Sequence, residues 1–513
     1  MQPHEPTRES RMSLGARAQA RRAPTLRRER VDLGAVLFVI GWLLLILGGA
    51  MLLPLAADLS LPRAGRDAPT FMASCLVTAF AGSLLVLAFR RPALELSLHS
   101  AFVLTTLSWF VLGLFAALPL LFGETQLSFA DAYFEAISGL TTTGSTVIVG
   151  LDALPAGLLL WRSLLQWLGG IGIVVGATVI LPFLRVGGMQ LFRLESSEKS
   201  DKVMPSLGAL VTWMGLTYLL LTMTCVLLYD LLGMSGFDAV NHAMTTLSTG
   251  GFSTHDASFA AFDSLALDLV ATVFMLAGAL PFVRYVETVR GRPGALWRDS
   301  QVRLFLAFLL IVCLGFALMR SQHESATFIG ALRYVAFNVV SVVTTTGYAT
   351  TDYSLWGPFF VVAFLGLTVV GSCTGSTAGG VKFFRFEILW LGARNHIRRL
   401  FSPHVVISQT YGGKTVSGEV LLSVVSFVFL WFATWGLTSV ALGAAGLDMV
   451  TAISGAATAL ANVGPGLGTI IGPAGNFAPL SDASKWLLSL AMVVGRLEIF
   501  TVIVLLVPDF WRE

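Results

Sequence analysis

The chain has 513 residues, 55% of them hydrophobic and 12% charged, with a mean hydropathy of +0.78. A soluble domain carries about 25% charged residues, so this chain is solvated mainly by lipid, and a net charge of +3 is too small to argue for a nucleic-acid partner. The four cysteines (Cys75, Cys225, Cys313 and Cys373) stand far apart within apolar stretches. That spacing forms neither a disulfide framework nor a zinc pattern, and they read as buried and inert.

In chain order, residues 1–30 hold eight arginines and no apolar run, which reads as a basic cytoplasmic tail. The first apolar stretch, starting at Val31, is long enough to span rather than be cleaved as a signal peptide. Apolar stretches at about 33–55, 70–89, 98–122, 156–184, 207–233, 263–283, 300–319, 357–381, 416–445 and 485–508 give ten candidate spans of about 20 residues each. The predicted fold class is an all-α polytopic membrane protein.

Basic residues orient these spans. Arg185, Arg193, Lys199 and Lys202 lie in one connection, Arg284, Arg290, Arg292, Arg298 and Arg303 in another, and six more in 382–414. No Lys or Arg occurs in 121–161, 203–283, 334–381 or 415–484. The basic connections therefore face the cytoplasm, together with both termini.

Each uncharged connection holds a short apolar segment, too short to span, followed by a Thr/Gly cluster. The first runs from Asp131-Ala to Thr142-Thr-Gly144 and the second from Asp238-Ala to Thr249-Gly-Gly251, each Asp lying thirteen residues before its closing glycine. The third ends Val343-Thr-Thr-Thr-Gly347 and the fourth Leu460-Ala-Asn-Val-Gly464. Successive closing glycines are separated by 107, 96 and 117 residues. This is a fourfold repeat of span, re-entrant helix, loop and span. It divides the chain into the tail 1–30, an N-terminal helix pair 31–97, and pore repeats 98–203, 204–299, 300–414 and 415–513.

Non-helical backbone survives at membrane depth only where protein buries it or it lines a watery path. Four such loops converging on one axis can replace the hydration shell of a dehydrated cation with carbonyls. Glycine reaches the backbone conformations this requires, and threonine adds hydroxyl oxygens without charge. Each short helix aims its negative C-terminal end at the same place. Acidic residues of the outer connections (Asp131, Glu135, Asp152, Asp238, Asp256 and Asp352) are expected to concentrate cations at the mouth.

The motifs Ser138-Gly-Leu-Thr-Thr-Thr-Gly-Ser145, Thr249-Gly-Gly-Phe-Ser-Thr-His-Asp256, Thr344-Thr-Thr-Gly347 and Asn462-Val-Gly-Pro-Gly-Leu-Gly468 resemble the Trk/Ktr/HKT superfamily of K⁺ transporters, most closely the bacterial Trk-type membrane subunit. Gly375-Ser-Thr-Ala-Gly-Gly-Val-Lys382 and Gly495-Arg-Leu-Glu498 strengthen the resemblance, which covers about residues 33–508. It implies a pseudo-fourfold channel-like fold in a bacterial inner membrane, a homodimer, and a cytoplasmic nucleotide-binding ring subunit as partner. K⁺ is then the transported ligand, and no organic cofactor is implied.

The same resemblance puts the coordinating carbonyls on Thr142, Thr143 and Gly144; Thr249, Gly250 and Gly251; Thr345, Thr346 and Gly347; and Asn462, Val463 and Gly464. The fourth loop departs most from a K⁺-channel filter, with Asn in place of Thr and Pro after Gly.

A helix from Trp356 to Trp390 would run about 50 Å at 1.5 Å per residue, well beyond a hydrocarbon core of about 30 Å. A break is expected at 371–380, where Gly371, Gly375, Ser376, Thr377, Gly379 and Gly380 are glycine or small and polar. Close packing through the Gly375/Gly379 pair is the other reading. In the family the matching segment is an intramembrane loop that obstructs the pore. Arg496 is expected inside the last span, either in a salt bridge to another helix or as a barrier below the filter; the resemblance favours the barrier. Lys382 reads as an interfacial anchor.

Gated K⁺ uptake is the leading function. Coupled K⁺/H⁺ or K⁺/Na⁺ symport on the same scaffold is the alternative, disfavoured because no mid-span carboxylate pair suits a proton relay. A polytopic membrane enzyme would need a nucleophile, base or metal constellation that the sequence lacks.

Overall fold

The computed structural model describes residues 31–60, 67–91, 96–179, 188, 207–323, 327–403, 410–412 and 414–512. The expected tail 1–30, and Arg185, Arg193, Lys199 and Lys202, lie outside the described residues. Those described form an almost entirely helical, multi-pass membrane fold with one two-residue-per-strand hairpin, Thr410–Tyr411 with Lys414–Thr415.

Seven described helices are long and apolar enough to cross a membrane, or nine if each of two bent pairs counts as one span. The remaining expected span, 357–381, is helical only over Pro358–Val369. There the chain leaves the helix as Val370 bridges Val381 in parallel, unwinds through 371–380, and resumes as Phe383–Phe401. The expected break is present.

Two further breaks correct the reading of 263–283 and 485–508 as straight spans. Leu265–Ala279 turns by 94° into Phe282–Val289, and Pro281 between them supplies the cause: it has no N–H to donate and disfavours helical backbone in the residue before it. Asp482–Arg496 turns by 105° into Phe500–Leu506, with Glu498 at φ +60° in the bend. Arg496 is the last residue of the first helix of this bent pair.

Four short helices mark the repeats: Phe129–Leu140, Gly236–Leu247, Phe328–Val343 and Met449–Ala461. Each begins on a side-chain cap. Ser128 accepts from the Asp131 amide and Ser235 from the Asp238 amide, both at 3.1 Å; Thr327 accepts from Gly330 at 3.3 Å and Asp448 from Thr451 at 3.1 Å. In the first two the Asp carboxylate also takes the serine hydroxyl, at 2.8 and 2.6 Å. These Asp residues are thus cap partners three residues into the helix. That is why both stand at the same distance from the closing glycine.

The inner helix of each repeat packs against the C-terminal end of its own pore helix at one repeated atom. A Cβ at Gly169 would collide with the Leu140 carbonyl, one at Gly278 would lie 2.8 Å from the Leu247 carbonyl, and one at Gly495 would collide with the Leu460 carbonyl. In the third repeat Ser372 Oγ donates to the equivalent Val343 carbonyl at 3.1 Å. Small residues here let backbones meet where lipid offers no hydrophobic drive to associate. The N-terminal pair packs on the outside of repeat 1, where Asp58 accepts from the Gly157 amide at 2.6 Å.

Gly169→Val should therefore cost about 1–3 kcal/mol through overpacking. Gly172→Val, one turn away with nothing within 4 Å of its added Cβ, should be near neutral. Melting curves of the two purified variants in one detergent check this; equal stabilities would remove the close contact from the account.

Candidate cation pathway

The four pore helices end at Thr141, Ser248, Thr344 and Asn462, and the chain then repeats one unusual backbone pattern. Thr142, Thr249, Thr345 and Asn462 have φ of 53°, 51°, 58° and 56°, and the glycines two residues later, Gly144, Gly251, Gly347 and Gly464, have φ of 87°, 75°, 84° and 109°. Left-handed backbone is costly at the three threonines and milder at Asn462. Its repetition four times in register marks a constraint common to all the loops.

Their packing shows that constraint. A Cβ on Gly144 would strike the Gly250 carbonyl, one on Gly251 the Thr346 carbonyl, and one on Gly347 the Val463 carbonyl; on Gly464 it would lie 2.8 Å from the Thr143 carbonyl. The contacts run from loop one to two, two to three, three to four, and back to one. The loops close a ring, and the four middle residues (Thr143, Gly250, Thr346 and Val463) occupy one level of it. The fourth loop, despite its Asn and Pro, keeps the backbone of the others. All twelve predicted filter residues come together here, buried except for Gly144, Gly251 and Gly347, which are partly open.

Each loop is tied down. The amides of Thr143, Gly250, Thr346 and Val463 donate to Ser138, Thr245, Ser341 and Thr458 at 2.8–3.1 Å, the same offset each time. Asn462 Nδ2 donates to Thr143 Oγ1 at 3.0 Å and Ser145 Oγ to the Gly464 carbonyl at 2.8 Å, joining loop four to loop one. Tyr348 reaches from loop three to Thr245 and to the His242 carbonyl.

Gln166, on the inner helix of repeat 1, was not singled out from sequence. Its amide donates to the Gly250 carbonyl at 2.7 Å and accepts from the Phe252 amide at 3.0 Å. Arg162 was missed too: it pairs with Glu135 at 2.8 Å, both fully buried, and donates to the Ser253 carbonyl at 3.0 Å. A lone Gln or Arg near the end of an apolar run has no sequence signature. The only hint was that Arg162 and Lys485 border the uncharged stretches.

These contacts correct the expected role of the mouth carboxylates. Glu135 is neutralised by Arg162 in the interior, and Asp131 is paired to Lys485 at 2.6 Å. Asp256 accepts from the Gly150 and Leu151 amides at 3.1 Å, and Asp352 from the Ser354 amide at 2.9 Å. The acidic residues chiefly brace loops.

Segment 371–380 lies directly beneath the ring. Thr377 Oγ1 donates to the Leu247 and Gly278 carbonyls at 3.1 and 2.9 Å and lies 3.2 Å from Thr249 Oγ1. The Gly379 amide donates to Thr345 Oγ1 at 2.8 Å, and Gly375 accepts from the Phe282 amide at 2.9 Å. Ser376 turns back on the Cys373 carbonyl at 2.7 Å, while Gly371 and Gly380 meet at the strand-like bridge. Lys382 is buried and donates to the Ala378 carbonyl. It packs on segment 371–380 rather than anchoring at the membrane interface. Arg385, buried, pairs with Glu498. Arg496 is 3% exposed and makes no salt bridge among the described residues, so no described helix supplies it with a carboxylate.

Comparison with known proteins follows from this geometry. The family model TrkH, described as a cation transport protein, matches residues 67–512. The chain belongs to the TrkH family. It is 48% identical over 479 residues to the Trk system potassium uptake protein TrkI of Halomonas elongata, covering 93% of this chain and 97% of that one. With TrkH of Escherichia coli K12 it shares 36% over 487 residues, covering 93% and 99%. The crystal structure of the potassium transporter TrkH from Vibrio parahaemolyticus superposes with a TM-score of 0.86 at 36% identity, covering 94% of this chain and 100% of that one.

At the outer rim of this TrkH-family ring, His255 sits between Asp238 and Asp152, the latter in direct hydrogen bond and the former 3.6 Å away. Asp238 above all, and then Asp152, hold the imidazolium against partial burial, which raises its pKa to about 8. A raised histidine pKa stabilises the fold fully below its ordinary value near 6.5 and loses that stabilisation as pH rises through about 8. The clamp joining repeats 1 and 2 should therefore loosen between pH 6.5 and 8.5, lowering the melting temperature by about 2–4 °C. His255→Gln should flatten that dependence; an unchanged pH profile in the variant would exclude His255 as its source.

Proposed function

We propose that this chain carries potassium uptake through a gated, channel-like cation pore whose filter is the closed ring of four loops. The supporting observation is the fourfold repeat of left-handed residue, middle residue and left-handed glycine, each glycine seated against the next loop's carbonyl. Relatives named as potassium uptake proteins support the choice of ion. Carbonyls of Thr142–Gly144, Thr249–Gly251, Thr345–Gly347 and Asn462–Gly464 would exchange for the hydration shell, with the pore-helix C-termini supplying negative potential. K⁺ is cargo, and we assign the chain no organic cofactor and no enzymatic role. Symport has no support in the buried carboxylates near the pore, since Glu135 and Glu498 are each held by an arginine.

The gate is segment 371–380 with Arg496. Its backbone is irregular and lies across the path, held by the filter's own threonines and the turns below them. At about 6 Å and an effective dielectric near 20, a cation and Arg496 would repel by roughly 3 kcal/mol, about a hundredfold in rate. Gly144→Ser or Gly347→Ser should weaken K⁺/Na⁺ preference, because a side chain there meets the neighbouring loop. Arg496→Ala or a shortened 371–380 should instead raise basal flux and spare selectivity. ⁸⁶Rb⁺ uptake and reversal potentials in proteoliposomes separate the two effects; unchanged permeability ratios in both glycine variants would remove the ring from the filter.

The basic connections argue for both termini in the cytoplasm, the bacterial relatives support an inner-membrane location, and the domain division 1–30, 31–97, 98–203, 204–299, 300–414 and 415–513 follows the repeats. We take the protein for a homodimer, in membrane lipid, docked to a cytoplasmic nucleotide-binding ring subunit. Helix Phe383–Phe401 runs on from the gate and ends in exposed Arg394, Arg398 and Arg399, a direct connection from such a partner to segment 371–380. Reversing these three charges should abolish co-purification of the ring subunit from native membranes while leaving basal ⁸⁶Rb⁺ flux in place. Equal recovery would move the docking face elsewhere.

A further inference from the structure

A cavity of about 460 Å³ opens between the first N-terminal helix, the outer and inner helices of repeat 1, and the end of the last inner helix. That volume falls within the roughly 300–1,000 Å³ of small-ligand sites. Its walls are mainly hydrocarbon, from residues such as Val39, Leu43, Leu104 and Leu168; the Thr105 and Ser108 hydroxyls there donate to their own helix, and Gly172 and Gly176 leave open space on one side. Ile46 and Gly172 are exposed at its mouth, where the bilayer lies.

Arg496 and Leu497 line its inner end. Arg496 is 3% exposed, and among the described residues none of its three guanidinium nitrogens has a hydrogen-bond partner. The other arginines buried to this degree, Arg162 and Arg385, each have a carboxylate, Glu135 and Glu498. A guanidinium carries five N–H donors and stays charged in a protein, and buried donors find acceptors. An apolar cavity cannot supply them. A ligand that satisfies both surfaces has an anionic head for Arg496 and a hydrocarbon chain for the walls.

We propose that this cavity is a binding site for a single-chain anionic amphiphile drawn from the bilayer, with its carboxylate on Arg496 and its chain along the first N-terminal helix. Arg–carboxylate pairing can be bidentate and is strong where water is excluded. The binding claim stands on the cavity and the unpaired guanidinium. Its consequence rests on the reading of Arg496 as a barrier: a carboxylate there cancels the repulsion, so the occupied protein conducts faster.

The test is oleate binding to the purified full-length protein by native mass spectrometry, with oleyl alcohol as the uncharged control. One saturable oleate per protomer is expected, with oleyl alcohol weaker by about tenfold or more. Gly172→Leu with Gly176→Leu fills the cavity and should abolish binding, and Leu43→Trp fills it from the opposite wall should the first variant fold poorly. Arg496→Gln should bring oleate down to the level of the alcohol. No saturable binding, equal binding of alcohol and acid, or full binding by both filled variants overturns the site. ⁸⁶Rb⁺ uptake should rise with oleate in the parent and not in the filled variants; binding without that rise leaves the site standing and refutes the barrier role of Arg496.

Discussion

Every irregular stretch of this protein answers to one demand: backbone amides at membrane depth must find partners, because lipid offers none. The filter loops meet it by hydrogen-bonding back onto their pore helices at the same offset four times, Thr143 to Ser138 through Val463 to Thr458. Segment 371–380 meets it by donating its amides to carbonyls at a helix end and to a filter hydroxyl, Cys373 to Ala279, Thr377 to Gly278 and Gly379 to Thr345 Oγ1, while the Thr377 and Ser372 hydroxyls cap the Leu247 and Val343 carbonyls. The loop ring and segment 371–380 are therefore bonded to one another. Moving 371–380 would require those carbonyls to be satisfied anew, which couples the segment to the inner ends of the pore helices.

The ring explains which residues cannot vary in kind. Left-handed backbone at Thr142, Thr249, Thr345 and Asn462 costs of order 1 kcal/mol each, and it is imposed by the neighbouring loop. A closing glycine without a Cβ is what lets the next carbonyl approach. The demand is mutual, since each loop is both knob and socket. Replacing one glycine disturbs two loops, and the fourth loop, chemically the most different, still conforms because its neighbours on both sides leave one shape to adopt.

Much of this architecture was legible in the sequence because it is periodic. The spans, the four re-entrant segments and the break at 371–380 all announce themselves through apolar length, charge asymmetry and repeated Thr/Gly clusters. What was not legible depends on partners distant in the chain. Lys382 reads as an anchor from its place after an apolar run, yet it is buried against Ala378 because the chain doubles back. Glu135 reads as a mouth carboxylate, yet its partner Arg162 lies one helix later, facing inward. Gln166 has no pattern at all, and its role is visible only where it meets Gly250 and Phe252. The bend after Ala279 carried a local sign in Pro281, whereas the bend at Glu498 is held by Arg385, 113 residues away.

Charge below the filter shows the same division. Lys382, Arg385 and Arg496 are gathered in the interior with one carboxylate, Glu498, among the described residues around them. Arg385 takes that carboxylate and fixes the bend of the last span, so the pair serves structure. Arg496 ends the helix that leads into the bend, one residue after the Gly495 that presses on the Leu460 carbonyl. Its backbone is thus positioned by the fourth pore helix, while its charge has no counter-ion among the described residues. A buried ion pair contributes little net stability over an apolar substitute, but an unpaired buried charge is strongly unfavourable. Arg385 holds the one described carboxylate here and Arg496 holds none, so on the proposal that Arg496 is the barrier, an anion or a displacement of segment 371–380 would relieve its charge before a cation passes.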